Sequence, residues 1–215
     1  MISDIEACFD PNFTDKNTLH SYLHYYKNLL AEIIQRKGNA ALTVCEVGIQ
    51  RGGSAVGWLK LLPGAKVFGI DCVKTIKLEH PNFTELILNA YDEDNLAKFP
   101  KNIDFFVEDG SHAYSDMLFA IKNYPNMLSE YGCLVIEDLP DASWIPKFKA
   151  VLPAGFNMIH LDIKHERHNR FDNQLLIIRR DVHSHRKLYM PGANETVDLM
   201  LNNEVLQKMY ISLNH

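Results

Sequence analysis

The chain has 215 residues, 47% hydrophobic and 23% charged, with a formal net charge of −5. This is ordinary globular composition with enough apolar residues for one sizeable core. No apolar run approaches the ~18 residues of a membrane span, and the scattered basic residues form no face of the kind nucleic acid requires.

In chain order, the N-terminus from Met1 to Glu6 has no basic leader followed by an apolar stretch, so a secretory signal is not expected. Residues 18–36 read as a helix, because Leu19, Tyr22, Leu23, Tyr26, Leu29, Leu30, Ile33 and Ile34 recur at helical spacing before Lys37 and Gly38 stop it. Strands are expected at 42–47, 66–71, 84–88, 103–108 and 133–137, with helices at 53–62, 92–99 and 114–128 between them. Two further strands, 157–162 and 174–180, have no long helix between them and read as an antiparallel hairpin. The last apolar stripe, at 194–213, reads as a helix docked on the body or contacting a second copy. Cys8, Cys45, Cys72 and Cys133 are far apart, with no zinc-knuckle spacing. Three of them lie in apolar strand-like runs, which fits a reduced, cytoplasmic setting.

Strands alternating with helices imply an α/β fold: a seven-stranded, mostly parallel sheet with helices on both faces and a C-terminal antiparallel pair. One domain is expected over 1–215, with a helical lead-in (1–38), a Rossmann-like core (39–182) and a tail (183–215). In such a sheet ligands bind beyond the carboxyl ends of the strands. The first strand ends in Glu46-Val-Gly48-Ile-Gln50-Arg-Gly52-Gly53-Ser54, a turn whose glycines permit positive φ and close approach of a ligand. It is neither GxGxxG nor a P-loop, so phosphate cradling is disfavoured. The second strand delivers Asp71, roughly 20 residues on, where an acid can accept from ribose hydroxyls. Turn and acid point to an adenosine-containing ligand, a dinucleotide or S-adenosylmethionine; a purely structural turn is the alternative.

The fourth strand ends in Glu108-Asp109-Gly110-Ser111-His112 and the fifth in Glu137-Asp138. Neighbouring parallel strands lie about 4.8 Å apart, so Asp109, Glu137 and Asp138 can converge. Three carboxylates gathered there require a cation or protons. All-oxygen donors suit a hard divalent ion such as Mg²⁺, Mn²⁺ or Ca²⁺ rather than zinc. His112, on the turn into the next helix, is placed to act as general base. The structural alternative is that Asp109 merely caps that helix.

Taken together, Glu46-x-Gly48-x-x-x-Gly52-Gly53-Ser54, Gly69-Ile-Asp71, Glu108-Asp109-Gly110-Ser111-His112 and Ile136-Glu137-Asp138 resemble class I methyltransferases. Among these, the similarity is to the Mg²⁺-dependent macrolide-sugar O-methyltransferases and the cephalosporin-hydroxylase-like proteins. Asp15-Lys16-x-x-x-His20-Ser21-Tyr22 is similar to their N-terminal lead-in, and the resemblance covers roughly residues 14 to 140. It implies that Glu46, Gly48, Gln50, Gly52, Gly53 and Ser54 hold the methionine part of S-adenosylmethionine and that Asp71 binds its ribose. Tyr91 would lie at the adenine end, where many relatives carry an acid. Lys16, His20 and Tyr22 would lie near the cofactor or close over it. Asp109, beside the cofactor, would bind Mg²⁺ with Glu137 and Asp138, and His112 would be the base. The expected activity is methyl transfer to a hydroxyl of a sugar or secondary metabolite, with a small-molecule partner and possible self-association. The rivals are an NAD-dependent oxidoreductase and a non-catalytic protein that binds S-adenosylmethionine or another nucleotide.

Overall fold

The structure, a computed structural model, describes residues 4–38, 40–74, 76–166 and 169–180. The expected helix at 194–213 and the basic residues beyond Arg180 lie outside the described residues. The strands are β1 (Thr43–Val47), β2 (Lys66–Asp71), β3 (Phe83–Ile87), β4 (Ile103–Glu108), β5 (Leu128–Ile136), β6 (Phe156–Asp162) and β7 (Gln174–Arg180). They form one seven-stranded sheet in the order β3-β2-β1-β4-β5-β7-β6. The first five strands pair in parallel, whereas β7 runs antiparallel to both β5 and β6.

The α-helices are α1 (Ile5–Cys8), α2 (Tyr22–Lys37), α3 (Gly53–Leu61), α4 (Tyr114–Asn123) and α5 (Ile145–Val151). Successive side chains of a strand point to opposite faces, and β4, buried at every position, shows the result. Phe105 and Val107 join the apolar layer under α2 and α3, around Trp58 and Tyr26. Phe106 joins the layer under α4 and α5, around Met117, Tyr124 and Phe148.

Four local features differ from the sequence expectation. Residues 18–21 curl instead of starting α2, because the His20 and Tyr22 amides donate back to the carbonyls of Asp15 and Lys16 at 3.1 and 3.0 Å. The helix expected to reach 128 ends at Asn123 and tightens into a 3₁₀ turn, Tyr124–Met127. Pro125 explains this, since it has no amide to continue the helix and its ring crowds the preceding turn. Strand β5 therefore begins at Leu128, ahead of the expected 133. The short helices α1 and α5 were not expected.

Order along the sheet reverses between β1 and β4, which lie side by side although about sixty residues apart in sequence. Crevices at such reversals, beyond the strand carboxyl ends, are where open α/β sheets bind ligands. Here those ends deliver Gly48, Asp71, Asp109 and Glu137.

Candidate active site

The glycine turn is built by close backbone approach. The Gly48 amide donates to the Ile70 carbonyl at 2.9 Å. Its φ is +84°, and a Cβ there would collide with the Asp109 carbonyl group and sit 2.9 Å from Gly110 Cα. Gln50 and Gly52 also have positive φ, 40° and 76°. The amides of Ile49 and Gln50 both donate to Asp71 Oδ2 at 3.2 Å, and that of Val73 donates to Oδ1 at 3.1 Å. Asp71 thus holds the shape of the turn, and its half-buried carboxylate keeps one lone-pair site, on Oδ1, that could accept from a ligand hydroxyl. Gly48, Gln50 and Ser54 line a cleft of about 390 Å³. Glu46 lies beneath it, 1% exposed, and accepts from Trp58 Nε1 at 2.8 Å. Gly53 is covered by the Phe13 carbonyl, and Gly52 lies against Ile76.

Tyr91 is half-buried, and its hydroxyl braces the end of β4. It donates to Glu108 Oε1 at 2.5 Å and accepts from the Ser111 amide at 3.1 Å. Burial pushes the Glu108 carboxyl up to about 7 despite that donated bond. A Cβ at Gly110 would overlap the Tyr91 hydroxyl, so the tyrosine would have to shift to admit a side chain there.

Asp109, His112 and Asp138 come together on the same cleft. Each offers one ligand atom, and those atoms lie within 4.8 Å of one another. His112 Nε2 is 3.9 Å from Asp109 Oδ1 and 3.7 Å from Asp138 Oδ2. Both His112 (φ +55°) and Asp138 (φ +54°) adopt the left-handed conformation, which costs each roughly 1–2 kcal/mol. Backbone bonds set the strand ends level: Asp109 N to Val47 O and Glu137 N to Glu108 O, both 3.0 Å.

Glu137 points inward and is 1% exposed. It accepts from the Tyr26 hydroxyl and from Lys16 Nζ. Lys16, itself 1% exposed, is the centre of the buried half of the site. Its ammonium is 2.7 Å from Asp109 Oδ2, 2.7 and 2.8 Å from the Glu137 oxygens, and 3.1 Å from Glu46 Oε1. His20 Nδ1 lies 3.3 Å from Asp138 Oδ1, and its ring stacks on Tyr22, whose hydroxyl donates to the same oxygen. The three lead-in residues therefore grip the acids and do not themselves line the cleft. Its N-terminal wall is made by neighbours that sequence reasoning missed, Pro11 to Asp15, Thr18 and Leu19. Tyr26 and Trp58 were missed as well. Tyr22 and Tyr26, one helical turn apart on one face of α2, were the available signal.

Three carboxylates (Glu46, Asp109 and Glu137) thus surround one ammonium, while Asp138 beside them meets His20, Tyr22 and His112. Burial, then the Asp109 charge, holds the Glu137 carboxyl well above the usual range. Burial also raises Asp138 and Glu46. Burial works against the Lys16 charge, but Asp109, Glu137 and Glu46 outweigh it and keep the ammonium protonated. The surplus negative charge opens towards the cleft through Asp109 and Asp138, which suits a bound cation. The two carboxylates are oxygen donors of the kind Mg²⁺ or Mn²⁺ takes, whereas an imidazole nitrogen is a donor better suited to transition metals such as zinc.

Comparison with known proteins agrees with this architecture. A family described as a methyltransferase domain matches residues 45–139. The chain is 26% identical over 146 residues to 8-demethyl-8-alpha-L-rhamnosyl tetracenomycin-C 2'-O-methyltransferase of Streptomyces olivaceus, covering 63% of this chain and 37% of that one. Among solved structures, MycE methyltransferase of the mycinamycin biosynthetic pathway, with Mg and S-adenosylhomocysteine, superposes with a TM-score of 0.61 at 18% identity, over 84% of this chain and 55% of MycE. Its complex that also holds mycinamycin VI gives 0.62 at 19% identity, over 83% and 55%. The chain therefore spans about half the length of MycE and little over a third of the curated relative. The match over 45–139 is thus to a methyltransferase domain, and the solved structures show that the chain shares the Rossmann-like α/β fold of MycE.

Proposed function

We propose that the protein transfers a methyl group from S-adenosylmethionine to a hydroxyl of a small molecule, a sugar or secondary metabolite, with the help of a divalent metal ion. The observation that carries this reading is the opening of Asp109, His112 and Asp138 onto the same cleft as the Gly48–Ser54 turn. In this reading Gly48, Gln50 and Ser54 seat the amino-acid end of the cofactor, Asp71 holds its ribose and Tyr91 bounds the adenine side. Asp109 and Asp138, which face the cleft, are the proposed oxygen donors to the ion; Glu137, expected from the sequence to join them, is turned inward onto Lys16 and Tyr26. A divalent ion bound there would lower the pKa of an acceptor hydroxyl.

His112 then takes the hydroxyl proton at Nε2, the nitrogen that faces Asp109 and Asp138. Those two carboxylates stabilise the imidazolium that results. The ring is about a third exposed, so an acceptor can reach it. Positioning supplies much of the rate, because cofactor and acceptor share one cleft walled by backbone with little freedom to move. The two names reported above support the acceptor class: one relative is a rhamnosyl tetracenomycin 2'-O-methyltransferase, and MycE is solved with mycinamycin VI.

The test pairs calorimetric titration of S-adenosylhomocysteine with methyl-transfer assays on glycosylated acceptors. His112→Ala should lower transfer by roughly 10²–10⁴-fold and leave S-adenosylhomocysteine affinity within about threefold. Asp109→Ala and Asp138→Ala should abolish metal stimulation. Activity unchanged in EDTA would remove the metal from the scheme, and thermal stabilisation by NAD but not by S-adenosylhomocysteine would remove the methyltransferase reading.

A further inference from the structure

The N-terminal segment from Phe9 to Ser21 crosses the glycine turn as a strap. The Phe9 ring lies on Gly57 and the Phe13 carbonyl on Gly53, so tightly that neither glycine could carry a Cβ without a collision. Residues 11–15, Thr18 and Leu19 form one wall of the cleft, with Phe13 and Leu19 58% and 44% exposed at its mouth. The strap is turned sharply about Lys16 by three backbone bonds, from Thr18 N and His20 N to Asp15 O and from Tyr22 N to Lys16 O. That turn drives the Lys16 side chain under the wall and into the acid cluster.

An ammonium has three N–H donors; here they reach Asp109 and Glu137, at the ends of β4 and β5, and Glu46 of β1 adds an ion pair at 3.1 Å. This ties the strap to the ends of three strands at once. It also fixes Asp109: Oδ2 is drawn inward to Lys16 while Oδ1 faces His112. We infer that Lys16 is a positioning residue, whose buried ammonium pins the N-terminal strap over the cofactor cleft and orients the Asp109 carboxylate. The inference rests on the cleft being the cofactor site, but the strap itself can be followed without any cofactor.

The test uses the full chain with Lys16→Met and Lys16→Met/Glu137→Gln. The double variant removes the ammonium together with one of its carboxylates, so the cage is not left with an added uncompensated charge. Lys37→Met is the control, since Lys37 is also paired with a buried acid, Asp104, at 2.7 Å but far from the strap. Two readouts are taken: chymotrypsin cleavage after Phe13 and Leu19, and the dissociation constant for S-adenosylhomocysteine. If Lys16 pins the strap, both Lys16 variants are cut at least tenfold faster than wild type and bind S-adenosylhomocysteine at least tenfold more weakly, while Lys37→Met matches wild type in both. A double variant that keeps wild-type protection and affinity overturns the inference, because charge balance alone would then suffice. So does a Lys37→Met chain cut as fast as Lys16→Met, which would mean general loosening. If wild type fails to bind S-adenosylhomocysteine but Lys16→Met still frees the strap, the cofactor reading falls and the pinning stands.

Discussion

Gly48→Ala tests the close approach on which the cleft is built. The new Cβ would stand 2.6 Å from the Asp109 carbonyl carbon and nearer still to its oxygen, whereas real Cβ atoms essentially never come within 3.0 Å of such neighbours. The atoms it would meet are backbone, so β1 and the loop after β4 must part. Alanine at φ +84° costs roughly 1–2 kcal/mol, and forcing a methyl into a packed site adds about 1–3 kcal/mol. Together these predict a loss of about 2–5 kcal/mol, which for a chain of this size is a fall in Tm of roughly 5–15 °C. Asp109 moves with the loop, and a displacement of about 1 Å at a reacting group can cost 10²-fold in rate. Thermal unfolding and S-adenosylhomocysteine titration would be measured beside Gly64→Ala, whose Cβ meets nothing within 4 Å. A Gly48→Ala protein that melts within 2 °C of wild type and binds equally well would refute the reasoning.

The thiols should divide by burial. Cys72 is exposed and should react with Ellman's reagent within seconds, and half-buried Cys8 more slowly. Cys45 and Cys133 should stay silent until the chain unfolds, since burial pushes the Cys133 thiol up to about 12 and that of Cys45 well above its usual range. Early labelling of Cys133, read by peptide mass, would mean that β5 opens readily. On the opposite end of the molecule, Arg179 donates to Glu32 Oε2 at 3.1 and 2.9 Å, with Arg36 on the other oxygen at 3.0 Å. Arg179→Met should cost about 3 kcal/mol by stranding a buried carboxylate, while Glu32→Met/Arg179→Met recovers most of it. Equal denaturation midpoints for single and double variants would show that Arg36 alone satisfies Glu32.

Strands β2 and β4 were legible to the residue because each is a short apolar run closed by turn residues, Pro63-Gly64 before one and Lys101-Asn102 before the other. The β4–β5 junction was less so, because the apolar periodicity of α4 continues through Pro125 into the start of β5. Knowing where parallel strands end gave the expectation that Asp109, Glu137 and Asp138 converge; the structure instead brings His112 to Asp109 and Asp138, because adjacent residues at a strand end face opposite ways and Glu137 turns inward onto Lys16. Lys16 could be linked to the site only by resemblance: its pairing with Glu137 spans 121 residues, and no local pattern encodes it.

The neighbouring of β1 and β4 also bears on how the protein comes to exist. Gly48 leans on Asp109, and Lys16 on Glu137, so a nascent chain that has made only β1 and β2 owns the glycine turn but not the surface it rests against. Pairings between such distant segments pay loop-closure entropy before they return anything, which delays them. A ligand that needs this finished junction recognises only chains folded through β5. At a hundred times its dissociation constant it would add about 2.7 kcal/mol to the folded state as a whole, making cofactor supply a determinant of how much intact protein accumulates.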